Sequence, residues 1–146
     1  MMLVDDEERF LSTTQKLLSR KGYEVATATS GPEALERLRS QNIHVVILDV
    51  KMPGMDGMET LKAIKGEYPL VEVIMLTGHA TVETAVEGMK SGANDYLMKP
   101  TDVTDLLEKA EEAFQKRQRM EEKIRVAQSR LFMKSPREIL KQRGDQ

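Results

Sequence analysis

The chain has 146 residues, 40% of them hydrophobic and only 4% aromatic, with ten Met, no Trp and no Cys. This bounds it to one domain plus a short appendage, with aliphatic side chains and Met filling the core. The lack of Cys excludes disulfides and thiolate metal sites. No apolar run approaches the roughly 20 residues that span a bilayer, so a cytoplasmic protein without membrane insertion is expected.

The formal charge of −2 is unevenly spread. Residues 1–114 hold 12 Lys/Arg against 20 Asp/Glu, and residues 115–146 hold 10 against 4. The basic end has Phe132 as its one aromatic. It therefore reads as a solvated helix face and a frayed end, with no direct nucleic-acid binding.

Taken in order, short apolar runs alternate five times with helical patterns. Leu3-Val4 opens a first strand, and Phe10, Leu11, Thr14, Leu17 and Leu18 mark one face of a first helix that stops at Gly22. Tyr23 to Ala28 alternates as a second strand. Ser30-Gly31-Pro32-Glu33 predicts a capping box that opens a second helix with Ala34, Leu35 and Leu38 inward. Ile43 to Leu48 is continuously apolar, as suits a central parallel strand. A Pro/Gly-rich loop from Met52 to Gly57 leads to a third helix with Met58, Leu61 and Ile64 inward. Val71 to Leu76 is the fourth strand. A fourth helix starts near Thr81 and displays Val82, Ala85, Val86 and Met89. Asp95 to Met98 is the fifth strand, and a fifth helix begins near Asp102.

Such alternation predicts an α/β fold: a doubly wound five-stranded parallel sheet with right-handed crossovers and helices on both faces. The last helix runs on further than the sheet needs. Val103, Leu107, Ala110 and Phe114 are expected against the sheet. A second stripe (Leu106, Ala110, Ala113, Arg117, Met120, Ile124, Ala127, Leu131) keeps 4-3-4-3 spacing, with Arg117 as a flaw. It fits a dimeric coiled coil and a solvated helical linker equally well. Ser135-Pro136 ends the pattern.

In a doubly wound sheet, ligands bind beyond the carboxyl ends of the strands. The first strand ends in Asp5-Asp6, the third in Asp49, the fourth in Thr77 and the fifth in Lys99-Pro100. Singly these are ordinary residues: a helix N-cap, a loop acid, a turn threonine, a surface lysine. Together they crowd one crevice. Two unit charges about 4 Å apart repel by about 4 kcal/mol at an effective dielectric near 20. Three carboxylates therefore call for a cation, and oxygen-only donors suit Mg²⁺. With Mg²⁺ and Lys99 the formal charges cancel, so an anion can enter. Lys99 and Thr77 are donors for phosphoryl oxygens, and Asp49 is left as a carboxylate nucleophile. His44 reads as a strand residue, and His79 near the crevice is ambiguous.

The motifs Val4-Asp5-Asp6-Glu7, Asp49 to Gly57, Leu76-Thr77-Gly78-His79-Ala80 and Gly92 to Pro100 together resemble the receiver domain of two-component response regulators, over residues 2 to about 115. The resemblance implies the flavodoxin-like strand order 2-1-3-4-5 and an expected division into a receiver domain (1–115), a helical extension (116–131) and a flexible tail (132–146). It implies Asp49 as phosphoacceptor and Mg²⁺ held by Asp6, Asp49 and the backbone carbonyl of Lys51, with Asp5 acting through water. Thr77 and Lys99 would hold the phosphoryl oxygens, and Gly78 would leave them room. Thr77 and Tyr96 would form the switch, and Lys99-Pro100 would be cis. The implied phosphodonor is a sensor histidine kinase or histidine phosphotransfer protein. The implied output face is helix four, strand five and helix five, through which many relatives dimerise; a homodimer through that face and the extended helix is one of the two readings the stripe leaves open. A signalling domain that promotes its own aspartyl phosphorylation and dephosphorylation is implied, rather than an enzyme.

Rival architectures fit less well. A flavodoxin needs a phosphate-cradling loop where Asp5-Asp6-Glu7-Glu8 would repel one. A dehalogenase-type phosphatase places an acid where Lys51 stands. No Gly-x-x-x-x-Gly-Lys is present, and the residues after the receiver region are too few for a helix-turn-helix domain. The surviving alternative is an unphosphorylated, receiver-like interaction domain.

Overall fold

A computed structural model describes residues 1–50, 56–78 and 81–133. Its elements, in chain order, are β1 (Met2–Val4), α1 (Glu8–Arg20), β2 (Ala26–Ala28), α2 (Gly31–Ser40), β3 (Val45–Leu48), α3 (Gly57–Glu67), β4 (Glu72–Thr77), α4 (Val82–Lys90), β5 (Asp95–Met98) and α5 (Val103–Met133). All strand pairs are parallel, and the order across the sheet is β2-β1-β3-β4-β5, as expected.

Strand alternation divides the core into two layers. Met2, Val4, Val46, Leu48, Val73 and Met75 face one way, onto Ala34 and Leu38 of α2 and Met58, Leu61 and Ile64 of α3. Leu3, Val45, Ile47, Ile74 and Leu76 face the other way, onto Leu11 and Leu18 of α1 and Leu106, Ala110 and Ala113 of α5. Each layer is a continuous aliphatic seam from which water is excluded, the dominant favourable contribution to folding.

Several expectations shift in detail. β2 forms only at Ala26–Ala28; ahead of it Gln15 Nε2 donates to the carbonyl of Val25 (2.8 Å) and the Tyr23 side chain reaches α5. Ser30 caps α2 by accepting from Glu33 N (3.3 Å). The return half of the box falls one residue early, with Glu33 accepting from the backbone N (3.2 Å) and hydroxyl (2.9 Å) of Thr29. Leu35 is only partly buried.

On α5 the deepest residues are Leu106, Ala110 and Ala113, while Val103, Leu107 and Phe114 flank them partly buried. The first half of the supposed coil stripe is thus the sheet-packing face. Arg117 is not a flaw exposed on that stripe. Its side chain is 15% exposed, pairs with Glu121 (2.7 Å), and lines a depression with Leu38, Ile43, Tyr68 and Leu70. Beyond it Met120, Ile124 and Leu131 are exposed. α5 continues unbroken to Met133; Ser135-Pro136 and the tail lie outside the described residues. No helix among the described residues is long and apolar enough to cross a membrane.

Candidate phosphoacceptor site

Backbone ladders carry the acids to one rim. Val4 and Leu48 are register partners, and the ladder continues one step past both strands. Asp5 N donates to Ala28 O (3.1 Å) and Asp49 N to Val4 O (2.9 Å). The two residues therefore leave adjacent strands side by side. Asp5 is 2% exposed and Asp49 6%, while Asp6 is exposed. One carboxylate oxygen from each of Asp5, Asp6 and Asp49 lies within 4.8 Å of the other two. This convergent oxygen-only set fits a hard divalent cation such as Mg²⁺.

The next strand pair delivers the countercharge. Thr77, fully buried, ends β4, and Lys99 N donates to its carbonyl (2.9 Å). The Lys99 ammonium reaches back to hydrogen-bond Asp5 and lies 3.6 Å from Glu7 and 4.0 Å from Asp49. Burial, the largest single influence, pulls its pKa down. The hydrogen bond and charge of Asp5, with the charges of Asp49 and Glu7, outweigh that and hold it above the ordinary lysine value. The Lys99–Pro100 peptide is cis.

Neighbouring elements start at the same rim. Asp5 Oδ1 accepts from Glu7 N (2.9 Å) where α1 begins, so one carboxylate both joins the cluster and turns the chain into the helix. α3 begins at Asp56, which caps Glu59 N (2.8 Å). Gly57 N donates to Val50 O (2.8 Å), and a Cβ on Gly57 would stand 2.1 Å from Asp49 O. Only glycine permits that approach.

Of the residues singled out from sequence, Asp5, Asp6, Asp49 and Lys99 come together, with Thr77 at the adjoining strand end. Tyr96 takes a different position: its hydroxyl is 3.2 Å from Thr84 Oγ1 on α4. Lys51 and His79 lie outside the described residues. A Cβ on Gly78 would meet only Lys99 Cβ, at 4.0 Å, so no described protein atom demands glycine there.

Two residues given no role from sequence also belong to the site. Glu7 joins Asp5 and Asp49 as a third carboxylate near Lys99, and the Phe10 ring lies under the Lys99 ammonium, with Nζ 4.2 Å from the centroid. Phe10 lies in the first turn of α1, where the apolar stripe already accounted for its side chain.

The family model of the response regulator receiver domain matches residues 1–111. The chain is 47% identical over 113 residues to the transcriptional regulatory protein ZraR of Escherichia coli strain K12, covering 75% of this chain and 26% of that protein. It is 37% identical over 119 residues to the DNA-binding transcriptional regulator NtrC of the same strain (80% and 25%). The chain thus spans about a quarter of the length of these relatives. Among solved structures, the receiver domain of NtrX from Brucella abortus matches with a TM-score of 0.74 at 34% identity, covering 78% of this chain and 97% of that one. A response regulator from Burkholderia pseudomallei, with a phosphorylated aspartic acid, calcium ion and citrate, matches with a TM-score of 0.69 at 31% identity (73% and 62%). The acid rim, the strand order and these likenesses agree: this chain belongs to the receiver domains of two-component response regulators.

Proposed function

We propose that Asp49 accepts a phosphoryl group from a phosphohistidine on a sensor histidine kinase or histidine phosphotransfer protein. The observation that carries this is the convergence of Asp5, Asp6 and Asp49 within 4.8 Å, with the Lys99 ammonium set among them. An Asp49 carboxylate oxygen attacks phosphorus, the phosphorus–nitrogen bond to the histidine breaks, and the imidazole leaves with the electron pair. Asp6 and Asp49, with Asp5 through water and the Lys51 carbonyl, would hold Mg²⁺. When bound, that ion would offset the negative charge that builds on the phosphoryl oxygens. Lys99 and Thr77 donate hydrogen bonds to the transferred oxygens. Attack of water on the acyl phosphate later returns Asp49 and inorganic phosphate, so the domain promotes both its own loading and its own reset, in a cytoplasmic setting.

Signalling follows from a two-state equilibrium. Phosphoryl contacts at Thr77 favour an arrangement in which Tyr96 leaves Thr84 and the α4–β5–α5 face changes. That face already exposes Val82, Val86, Met89 and Met98. A homodimer forms through it and the distal part of α5. The test is intact-mass analysis after incubation with a small phosphodonor, with and without Mg²⁺, for wild type and Asp49→Asn. Wild type is expected to gain one phosphoryl group only with Mg²⁺, and Asp49→Asn none. Equal labelling of both proteins would show that the acceptor lies elsewhere.

A further inference from the structure

We propose that Phe10 is a positioning residue for phosphoryl transfer: its ring face holds the Lys99 ammonium at the acid rim. The proposal deepens, and rests on, the assignment of Asp49 as acceptor. Lys99 is a long, flexible side chain, and its described polar partners are all carboxylates: Asp5, Glu7 and Asp49. Those partners are the groups whose charge changes when the site works. A divalent cation on the acids weakens their pull on the ammonium, and phosphorylation converts one acid into an acyl phosphate. The Phe10 ring, 4.2 Å from Nζ, keeps the same attraction throughout. Its negative quadrupole draws the cation without claiming a lone-pair hydrogen bond, so the ammonium donors stay free to turn from carboxylate to phosphoryl oxygen. The ring is carried near the start of α1 and packs, partly buried, against the layer containing Leu3, Leu11 and Leu106.

The experiment is the rate of Asp49 labelling by acetyl phosphate at saturating Mg²⁺. It compares wild type, Phe10→Leu and Phe10→Tyr, and repeats the Phe10→Leu change in a Lys99→Gln background, with thermal melts as the check on folding. Phe10→Leu keeps apolar volume but loses the quadrupole. It is expected to slow labelling about twofold to fivefold, the size of a partly exposed cation–π contact. Phe10→Tyr restores the rate, and Phe10→Leu has no further effect once Lys99 is Gln, because the two residues act as one unit. Should Phe10→Leu not fold, Phe10→Met takes its place. Equal rates for wild type and Phe10→Leu would overturn the proposal, as would the same slowing in both backgrounds, which would mark a purely structural role. Wild-type protein that takes no label would instead overturn the acceptor assignment.

Discussion

Lys99 and Tyr23 show how much of this molecule is decided by single side chains reaching between elements. Lys99 leaves the end of β5 and neutralises acids from the ends of β1 and β3. Tyr23, between α1 and β2, reaches α5, where its phenol hydrogen-bonds Glu111 and its ring stacks on Phe114 with centroids 6.3 Å apart. The hydrogen bond to Glu111, then burial, then the charge of Glu111 push the Tyr23 phenol up to about 12. A raised pKa means the folded state holds the proton more tightly. Its contribution to stability is complete below pH 10 and is lost as pH rises from 10 through about 12. Tyr23→Phe keeps the stack and removes the titrating group, so its melting temperature should fall less steeply than that of wild type between pH 10 and 12. Parallel curves would show that the phenol is not the alkaline-sensitive link. The acids and Lys99 were legible in the sequence because each ends an apolar run, and strand ends share a rim. Glu7 and Phe10 were not, because their part depends on the angle at which α1 leaves β1, which no local pattern states.

At the scale of elements, apolar periodicity identified every strand and helix among the described residues, but not all of their bounds and packing faces. β2 is shorter than its alternation suggests, pairing with β1 only over Ala26–Ala28. The working face of α5 was displaced because two overlapping stripes shared Ala110, and only packing against Ile47, Ile74 and Leu76 selects between them. α4 starts near Thr81 and carries Val82, Ala85, Val86 and Met89 as read, but among its residues only Gly88 is buried, close over Met75. With so little area holding it down, α4 belongs to the low-stability end of the fold. The opposite case is the start of α3. Substituting Gly57→Ala puts a methyl group into backbone atoms of Asp49 and Val50 that cannot yield as a side-chain tip can. The expected cost is about 2–3 kcal/mol in urea denaturation, with weakened Mg²⁺ binding by titration calorimetry because Asp49 is displaced. Wild-type stability in this variant would mean α3 can slide freely relative to the acceptor.

At the scale of the whole molecule, the sheet order, the two-layer core and the acid rim agree with one another, and the comparisons place them in one family. What the sequence left open was pairing. The structure shortens the free stripe to Met120, Ile124, Ala127 and Leu131, since the residues before Arg117 are spent on the sheet. A stripe this short falls below the three to four heptads that sustain a coiled coil alone, so the homodimer proposed above would also draw on the exposed α4–β5 apolar residues. Sedimentation should therefore show a mainly monomeric resting chain and a dimer after phosphorylation. Ile124→Glu, at a position 40% exposed, should suppress that dimer while leaving Asp49 labelling intact. An unchanged phosphorylated mass in this variant would remove the distal helix from the interface.

The unbroken course of α5 has a mechanical consequence. At about 1.5 Å per residue, the 31-residue helix is about 46 Å long, and the portion beyond Arg117 projects about 24 Å past its last seat on the sheet. Seated along its first half and unsupported beyond, it has the geometry of a lever. A tilt of about 10° at the fulcrum would swing the tip by about 4 Å, comparable to the spacing between turns of the rod itself. The seated arm, residues 103–117, is about as long as the free one, so a shift at the opposite rim would reach the far end at about equal size and in the opposite direction.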